Sequence, residues 1–345
     1  MRTITRPALY AIGVCSAVLL FAGCGAPPTQ GFVSGPAPPN AASQTVNDLA
    51  HGAHPALQRS WMAPEAKHES LVYASNAGNN TVSVYNFLTR KMVGMLTGID
   101  RPWGLCSDQN GDVWVVGRGK NELIEYPHAS TQPIKTLHVH GWDTSLIECS
   151  VDPTTGNLAV TNYGPRNWYK GDVLVFENGE ETPYWYDSSG IWFYFGCSYD
   201  DKGNLWVDGW DAYLNYYVAL GVLPKNGSYI KAVSVIPAIK PPMIGNVQWT
   251  GANLALGDWQ WVLEVHVKGS YGHIVGYTPL TSHYPVGLFW VTNSGGKQRI
   301  IAPDTAGHPS AVQYWKYPDG GNPTATITDG LNGVAAVTFS AAHRR

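Results

Sequence analysis

The sequence predicts an all-β fold, and three observations support this prediction. Residues that form strands and turns dominate the composition, with 38 Gly, 24 Pro, 19 Tyr and 14 Trp, while only 14% of the residues are charged. A unit of 41 to 49 residues repeats six times. The chain then ends in an apolar strand that nothing downstream can pair with. Together these features favour a six-bladed β-propeller with four-stranded blades.

Each unit contains four alternating runs, which we call strands a to d from the axis outward. Strand b is the most regular, and it begins at Val72, Val113, Leu158, Leu205, Leu254 and Ile300. In three units a similar turn precedes strand b: DQNGDVWVV, DPTTGNLAV and DDKGNLWVD. The Gly of this turn supplies a positive φ, and the Asp can accept hydrogen bonds from the turn backbone, so we expect these aspartates to be structural.

The two ends of the repeat region are complementary. The first unit begins at strand b, LVYASN, whereas the segment GVAAVTF near the C-terminus is a strand a without a partner. Pairing of these two segments would complete one blade and remove two exposed sheet edges. We therefore predict closure of the ring by the C-terminal strand.

The units resemble NHL repeats, and the chain from Leu71 to Ser340 is similar to six-bladed propellers of the SMP-30/gluconolactonase-like type. Two segments carry the resemblance, YASNAGNNTVSVY (Tyr73 to Tyr85) and SVDPTTGNLAVTNY (Ser150 to Tyr163), and they are most similar to bacterial lipoproteins of that type. Lactonases of this family bind a divalent cation through Glu, Asn and Asp near the channel. The resemblance is specific for architecture. It is weak evidence for an activity, because propellers carry many unrelated functions.

The N-terminus is typical of an export signal. Arg2 and Arg6 precede the apolar run ALYAIGVCSAVLLFA, which is short for a membrane span. Its ending, LFAGC, resembles a lipobox, and Cys24 is then the residue that is lipidated. Gly25 follows in place of Asp, which favours the bacterial outer membrane. An ordinary secretion signal is the alternative.

These features divide the chain into four segments. We predict a signal peptide over 1–23, a flexible tether rich in Pro, Ala and Gly over 24–66, the propeller over 67–341 and a short tail over 342–345. The formal net charge is −3 for the whole chain, and −5 without the two arginines before Cys24. This balance, and the lack of a Lys/Arg cluster in the sequence, argue against a nucleic-acid partner.

The loops after strands b and d are predicted to share one face. Oxygen-bearing or aromatic side chains follow strand b in several units, and the candidates for a ligand-binding face are Asn76, Asn162, Trp210, Asp258, Trp259 and Asp304. Aromatic walls with a few fixed polar groups are typical of ligand sites. Burial of the aromatic residues between blades is the alternative interpretation.

The resemblance also suggests a metal site. Hard divalent cations such as Ca²⁺ prefer oxygen ligands, and Zn²⁺ also binds carboxylates. The candidate ligands are Glu148, Asn162, Asp258 and Asp304. Asn and Asp are also ordinary turn residues, and turn chemistry is the favoured interpretation.

Cys149 and Cys197 occupy the same position in two neighbouring inner strands, which leaves a disulfide between them open. Cys106 lies one residue out of phase and is expected to point to the other face. Burial of these thiols as small apolar groups is the favoured interpretation.

Two functions remain open. The leading hypothesis is a lipid-anchored, non-catalytic module that binds a protein, a small molecule or a carbohydrate through its aromatic face. The alternative is a metal-dependent hydrolase of lactones or related esters. The metal content of the protein and the sensitivity of any activity to chelators distinguish these two hypotheses.

Overall fold

The computed structural model describes residues 59–140, 144–164, 170–177, 179–211, 217–239, 244–258, 261–282, 288–294, 296–304 and 310–342. These residues belong to a compact unit that spans Pro55–Arg345. The predicted signal peptide, Cys24 and most of the predicted tether lie outside the described residues, and so does Trp259. None of the helices in the described ranges is long and apolar enough to cross a membrane.

The described chain is built of short strands, and its one described helix is a 3₁₀ turn at Pro64–His68. In chain order the strands are β1 (Trp61–Met62), β2 (Leu71–Asn76), β3 (Thr81–Asn86), β4 (Met92–Thr97), β5 (Pro102–Ser107), β6 (Val113–Gly117), β7 (Glu122–Tyr126), β8 (Lys135–His138), β9 (Leu146–Val151), β10 (Leu158–Asn162), β11 (Asp172–Phe176), β12 (Tyr184–Tyr186), β13 (Ile191–Tyr199), β14 (Leu205–Asp211), β15 (Val218–Leu223), β16 (Lys231–Ile236), β17 (Ile244–Trp249), β18 (Leu254–Asp258), β19 (Trp261–Lys268), β20 (Tyr271–Pro279), β21 (Trp290–Ser294), β22 (Lys297–Asp304), β23 (Ala311–Lys316), β24 (Gly320–Ile327) and β25 (Val334–Ser340).

The strands form small antiparallel sheets in a propeller-like arrangement, which confirms the all-β prediction. Three sheets have four strands each, β5–β8, β9–β12 and β21–β24. A larger sheet has eight strands, because the outer strand β16 pairs in parallel with the outer strand β20 and joins two runs of four. Apolar side chains fill the space between neighbouring sheets, as where Val84, Leu105 and Val115 pack in one buried cluster.

The C-terminal strand closes the first sheet, as the sequence predicts. β25 pairs antiparallel with β2, and the register places Ser340 opposite Leu71 and Val337 opposite Ala74. The first sheet therefore has the order β1-β4-β3-β2-β25, with the two ends of the described chain on its opposite edges. Its innermost strand comes from the last unit of the sequence.

The sheet region begins earlier than the boundary predicted at residue 67. Trp61 and Met62 form β1, which pairs with Met95 and Gly94 of β4. The amide of Ala63 also donates to Val93 O at 2.8 Å. Residues 61–63 thus lie on the outer edge of the first sheet, within the segment predicted as tether.

The inner strands are joined in a cycle, mostly by side chains that bond the main chain of the next strand. Ser150 Oγ accepts the Tyr199 amide at 3.0 Å, which links β9 to β13, and Ser198 Oγ accepts the Trp249 amide at 2.9 Å, which links β13 to β17. The remaining links are Gln248 to Val291 N and O, Val337 N to Leu288 O, Ser107 Oγ to Phe339 O, and the disulfide Cys106–Cys149.

The disulfide corrects the prediction for the cysteines. Cys106 of β5 bonds Cys149 of β9 with a Cα–Cα distance of 5.5 Å, and Cys197 is a free, buried thiol. The front face of one sheet packs against the back face of the next. Because successive side chains in a strand alternate between the two faces, residues that meet across the gap occupy positions that differ by one in the repeat. Cys149 and Cys197 are in phase and therefore point the same way around the ring.

The disulfide is expected to contribute strongly to stability. It closes a loop of 43 residues in sequence, which corresponds to about 4 kcal/mol of lost unfolded-state entropy. Reduction should therefore lower the urea midpoint of the wild-type chain. The double variant Cys106→Ser/Cys149→Ser should start at a lower midpoint and show no further loss with reductant. An unchanged midpoint of the wild-type chain after full reduction would contradict this contribution.

Candidate functional site

The candidates for the ligand-binding face lie at equivalent ends of strands. Asn76, Asn162, Asp258 and Asp304 are the last residues of β2, β10, β18 and β22, and Trp210 is the penultimate residue of β14. The next strand along the chain begins directly opposite the candidate residue: Thr81 lies opposite Asn76, and Asp172 lies opposite Asn162. The register thus places the described candidates at the same end of their sheets.

The two asparagines are bonded to their own surroundings. Asn76 Nδ2 donates to Ser83 Oγ at 2.9 Å, and its Oδ1 accepts the Asn332 amide at 3.1 Å. Asn162 Nδ2 donates to Asp172 Oδ1 at 2.9 Å, and its Oδ1 accepts the Ser145 amide at 2.8 Å. Both side chains are buried, and both hold the loops that follow or precede the inner strands.

Trp210 belongs to a cluster of aromatic rings. Its ring packs edge-on against Phe195 at 5.0 Å between centroids and against Phe193 at 6.2 Å. Tyr163 stacks on Phe193 at 4.7 Å. The ring of Trp210 is half-buried, so this cluster packs the two sheets together and leaves part of the indole on the surface.

The described acids do not assemble a metal centre. No group of three His, Cys, Asp or Glu side chains able to hold a metal ion occurs within the described ranges. Glu148 is buried on the inner strand β9, whereas Asp258 and Asp304 end strands of other sheets. Burial raises the pKa of Asp258, whose Oδ1 is enclosed without a hydrogen-bond partner.

The same hydrogen-bond arrangement recurs where the pairing of an inner strand with strand b shifts register. The pairing of strand a with strand b shifts register in the first sheet, after Ala74, and in the sheet of β13 and β14, before Cys197. Each shift frees a backbone amide from its sheet partner, as at bulges generally. The freed amides bond side chains of strand b instead.

The capping side chain differs between the sheets. Ser75 Oγ accepts the Ala336 amide at 3.0 Å, and Thr161 Oγ1 accepts the Glu148 amide at 3.1 Å. The same hydroxyls donate onward to the next inner strand, to Trp103 O at 2.5 Å and to Phe195 O at 2.7 Å. The arrangement therefore needs a group that both accepts and donates.

In the sheet of β13 and β14 a carboxyl group takes this place. Asp208 Oδ1 accepts the Gly196 amide at 2.6 Å, but its buried Oδ2 has no hydrogen-bond partner among the described residues. Burial raises the pKa of Asp208 to about 7. Burial also raises the pKa of Glu148 well above its ordinary value, and the charge of Asp208 adds to this effect.

A described cavity lies at the opposite end of the inner strands from the predicted face. It has a volume of about 540 Å³ and opens among the turns that contain Asp108 and Asp152. Trp249, Trp290 and Phe339 supply aromatic surface from three inner strands. Its other lining residues include Glu148, Ser150, Ser198, Tyr199, Asp201 and Gln248.

The electrostatic character of this cavity is negative. No Lys, Arg or His is found among its described lining residues, whereas three aspartates and Glu148 are. Two of these acids hold turns, as predicted: Asp108 Oδ1 accepts the Asn110 amide at 2.9 Å, and Asp152 Oδ1 accepts the Thr154 amide at 2.8 Å. The surroundings therefore disfavour anionic ligands and suit neutral or cationic ones.

Sequence reasoning missed this cavity, although a signal for it exists. The ends of the inner strands carry Ser107 and Val151 in early units but Trp249 and Phe339 in later ones. Large rings at the ends of inner strands line whatever opening the strands leave. Strand alternation alone does not indicate how wide that opening is.

Solved structures share this fold at low sequence identity. A chain of the nidogen/laminin complex aligns with a TM-score of 0.62 and 11% identity, over 80% of this chain and 100% of that chain. Hydrazine synthase from Kuenenia stuttgartiensis gives 0.56 and 13%, over 84% and 91%. The β-propeller domain of Cps50 (Swd1) from Myceliophteria thermophila gives 0.51 and 10%, over 82% and 90%. These similarities show a β-propeller fold. No protein-family model and no curated protein matches the sequence.

Asp208 makes the stability of the protein depend on pH. Its pKa is about 7 when folded, against an ordinary value of 3.8, so the folded state binds more protons between these values. The free energy of unfolding should therefore fall as pH rises from about 4 to about 7. In Asp208→Asn this component is absent, and the difference between urea midpoints at pH 5 and pH 8 should shrink.

The matched control is Asp329→Asn, which removes one negative charge from an exposed position. It should keep the pH response of the wild-type chain. The same response in Asp208→Asn as in the control would show that Asp208 does not titrate in this range.

Proposed function

We propose that this protein is an exported, lipid-anchored six-bladed propeller that acts as a non-catalytic binding module. Its ligand site is the cavity of about 540 Å³ at the end of the inner strands that carries the Asp turns. The observation that carries the proposal is the lining of this cavity, which combines Trp249, Trp290 and Phe339 with neutral polar groups and carboxylates.

The count of six blades rests on the inner strands. β5, β9, β13, β17, β21 and β25 are linked in a cycle, and the link between β21 and β25 is made by Leu288, just before β21. Each of these strands begins a run of four antiparallel strands, once the parallel pairing of β16 with β20 is treated as a contact between two blades. The first blade has β1 as an additional fifth strand.

The chemistry of the lining defines the ligand class. A small neutral or cationic molecule with a flat apolar face, such as a sugar ring, can stack on the indoles and hydrogen-bond the amides and hydroxyls around them. Gln109 and Asn110 supply amides, and Thr154 and Thr155 supply hydroxyls. A polyanion meets carboxylates there and no described cationic side chain.

A binding role fits the state of the potential catalytic groups. The carboxylates of Asp108 and Asp152 are engaged by turn donors. Burial raises the pKa of the Cys197 thiol well above its ordinary value, which disfavours the reactive thiolate. The lactonase alternative stays a prediction from the family resemblance. The described residues contain no group of three acids, histidines or cysteines that could hold its metal ion.

The location in the cell envelope rests on the N-terminal sequence and on the cysteine chemistry. The lipobox-like segment ending at Cys24, followed by Gly25, favours the outer membrane. The pairing of Cys106 with Cys149 is the type of bond that persists in oxidising compartments outside the cytosol.

The cavity is tested with a panel of neutral sugars, organic amines and sugar acids, with tryptophan fluorescence as the readout. Neutral or cationic members should bind, and Trp249→Ala should raise the Kd at least tenfold, which is about 1.4 kcal/mol. The control Trp185→Ala removes an indole that is 47% exposed on the outer strand β12 and should leave the Kd unchanged. Preferential binding of the acids, or equal effects of the two variants, would contradict the proposed site.

The anchor is tested by metabolic labelling with a fatty acid in a bacterial host. The wild-type chain should incorporate label and partition with membranes, and Cys24→Ala should lose the label because no thiol remains at the predicted acylation position. Cys15→Ala, which changes the other cysteine of the signal, is the control and should stay labelled. Continued labelling of Cys24→Ala would exclude the lipobox interpretation.

A further inference from the structure

A second cleft lies between the first and last sheets, on their outer side. It has a volume of about 580 Å³ and is formed by the turn between β3 and β4, the start of β22 and the turn between β23 and β24. Four of its nine lining residues are cationic: Arg90, Lys297, Arg299 and Lys316. Asp319 is the one acid among those nine residues. This is a strong local reversal of charge in a chain that is negative overall.

Two of the cations are forced together by strand register. Arg299 of β22 lies directly opposite Lys316 of β23 in the antiparallel ladder. Like charges in directly opposite positions destabilise a sheet. No described carboxylate forms an ion pair with Arg90, Lys297, Arg299 or Lys316.

The surroundings hold the two arginines in place. The Arg299 guanidinium lies over the ring of Phe87, 5.4 Å from its centroid. Arg90 has a φ of 62°, and its amide donates to Asn86 O at 2.8 Å. The side chain of Asn86 fixes the same turn, because its Oδ1 accepts the Leu88 and Thr89 amides.

The charges of both arginines act on one buried tyrosine, Tyr314. Burial raises the pKa of Tyr314, and the charges of Arg90 and Arg299 partly oppose this rise. Both guanidinium groups therefore act on the same point from two different sheets.

We propose that this cleft binds a phosphate-bearing anion. Guanidinium groups form bidentate hydrogen bonds with phosphate oxygens, and ammonium groups add charge. Gln298 lines the cleft as well, and its side-chain amide can donate neutral hydrogen bonds. A ligand with more than one negative charge relieves the repulsion between Arg299 and Lys316, which a single carboxylate does only in part. The phosphate group can belong to a lipid headgroup or to a soluble molecule.

The first arm of the test uses inorganic pyrophosphate and thermal unfolding of the full chain, with Cys24→Ala in every protein so that no acyl chain is present. Pyrophosphate should raise the Tm of this parent chain. In Arg299→Gln/Lys316→Gln the Tm without pyrophosphate should be higher than in the parent, because the repulsion is gone, and the response should be lost. Lys297→Gln changes an exposed residue at the start of β22 and should weaken the response several-fold without unfolding the protein.

The matched control is Lys67→Gln/Lys120→Gln, which removes two positive charges from exposed positions on other turns. It should keep the full response to pyrophosphate. Equal responses in the two double variants would overturn the proposal, because the response to pyrophosphate would then depend on the net charge of the protein and not on the cleft.

The second arm uses co-sedimentation with vesicles of phosphatidylglycerol or phosphatidylcholine, and the difference between the two lipids is compared across the same variants. A difference that depends on Arg299 and Lys316 assigns a lipid headgroup as the source of the phosphate. A response to pyrophosphate alone assigns a soluble ligand. No dependence on Arg299 and Lys316 in either arm would refute the cleft as a phosphate site.

Discussion

The structure depends on the bonds between its inner strands, which belong to different sheets and are joined mostly through side chains. Sheets that fan out from an axis converge there, and the gap between inner strands is so narrow that a Cβ on Gly104 would meet Ile147 O. Register shifts in these strands free backbone amides from their sheet partners. The hydroxyls of Ser75 and Thr161 accept hydrogen bonds from such amides and donate hydrogen bonds to the next inner strand. One hydroxyl thus satisfies a bulge and couples two sheets, and the cycle spreads this coupling around the ring.

The same constraint places unusual chemistry near the cavity. Where Asp208 replaces the hydroxyl, an ionised carboxylate has no proton to donate, so one oxygen remains buried and unpartnered. Glu148, on the neighbouring inner strand, is also buried with one unpartnered oxygen, and it lines the cavity. Burial raises the pKa of both groups and so favours their protonated forms. The cavity therefore combines turn aspartates with Glu148, a buried acid whose raised pKa disfavours ionisation.

Local patterns were sufficient to predict most of the fold. Alternation and turn chemistry predicted the strands, the turn roles of Asp108 and Asp152, and the pairing of β25 with β2. The pairing of Cys106 with Cys149 depends on which faces of two neighbouring sheets meet, which is a property of their packing. The cavity depends on the radius of the ring. The opposition of Arg299 and Lys316 depends on a register that no pattern in either strand determines. Such contacts require the three-dimensional arrangement.

The position of β1 has a mechanical consequence. This two-residue strand is the outermost of the first sheet, and the ring-closing strand β25 is the innermost strand of the same sheet. A pulling force applied through the segment before Arg59 acts first on the pairs of Trp61 with Met95 and Met62 with Gly94. If these few bonds detach first, the connection lengthens by several residues before the load reaches β2, the next strand along the chain. The edge strand thereby shields the closure of the ring from tension along the chain.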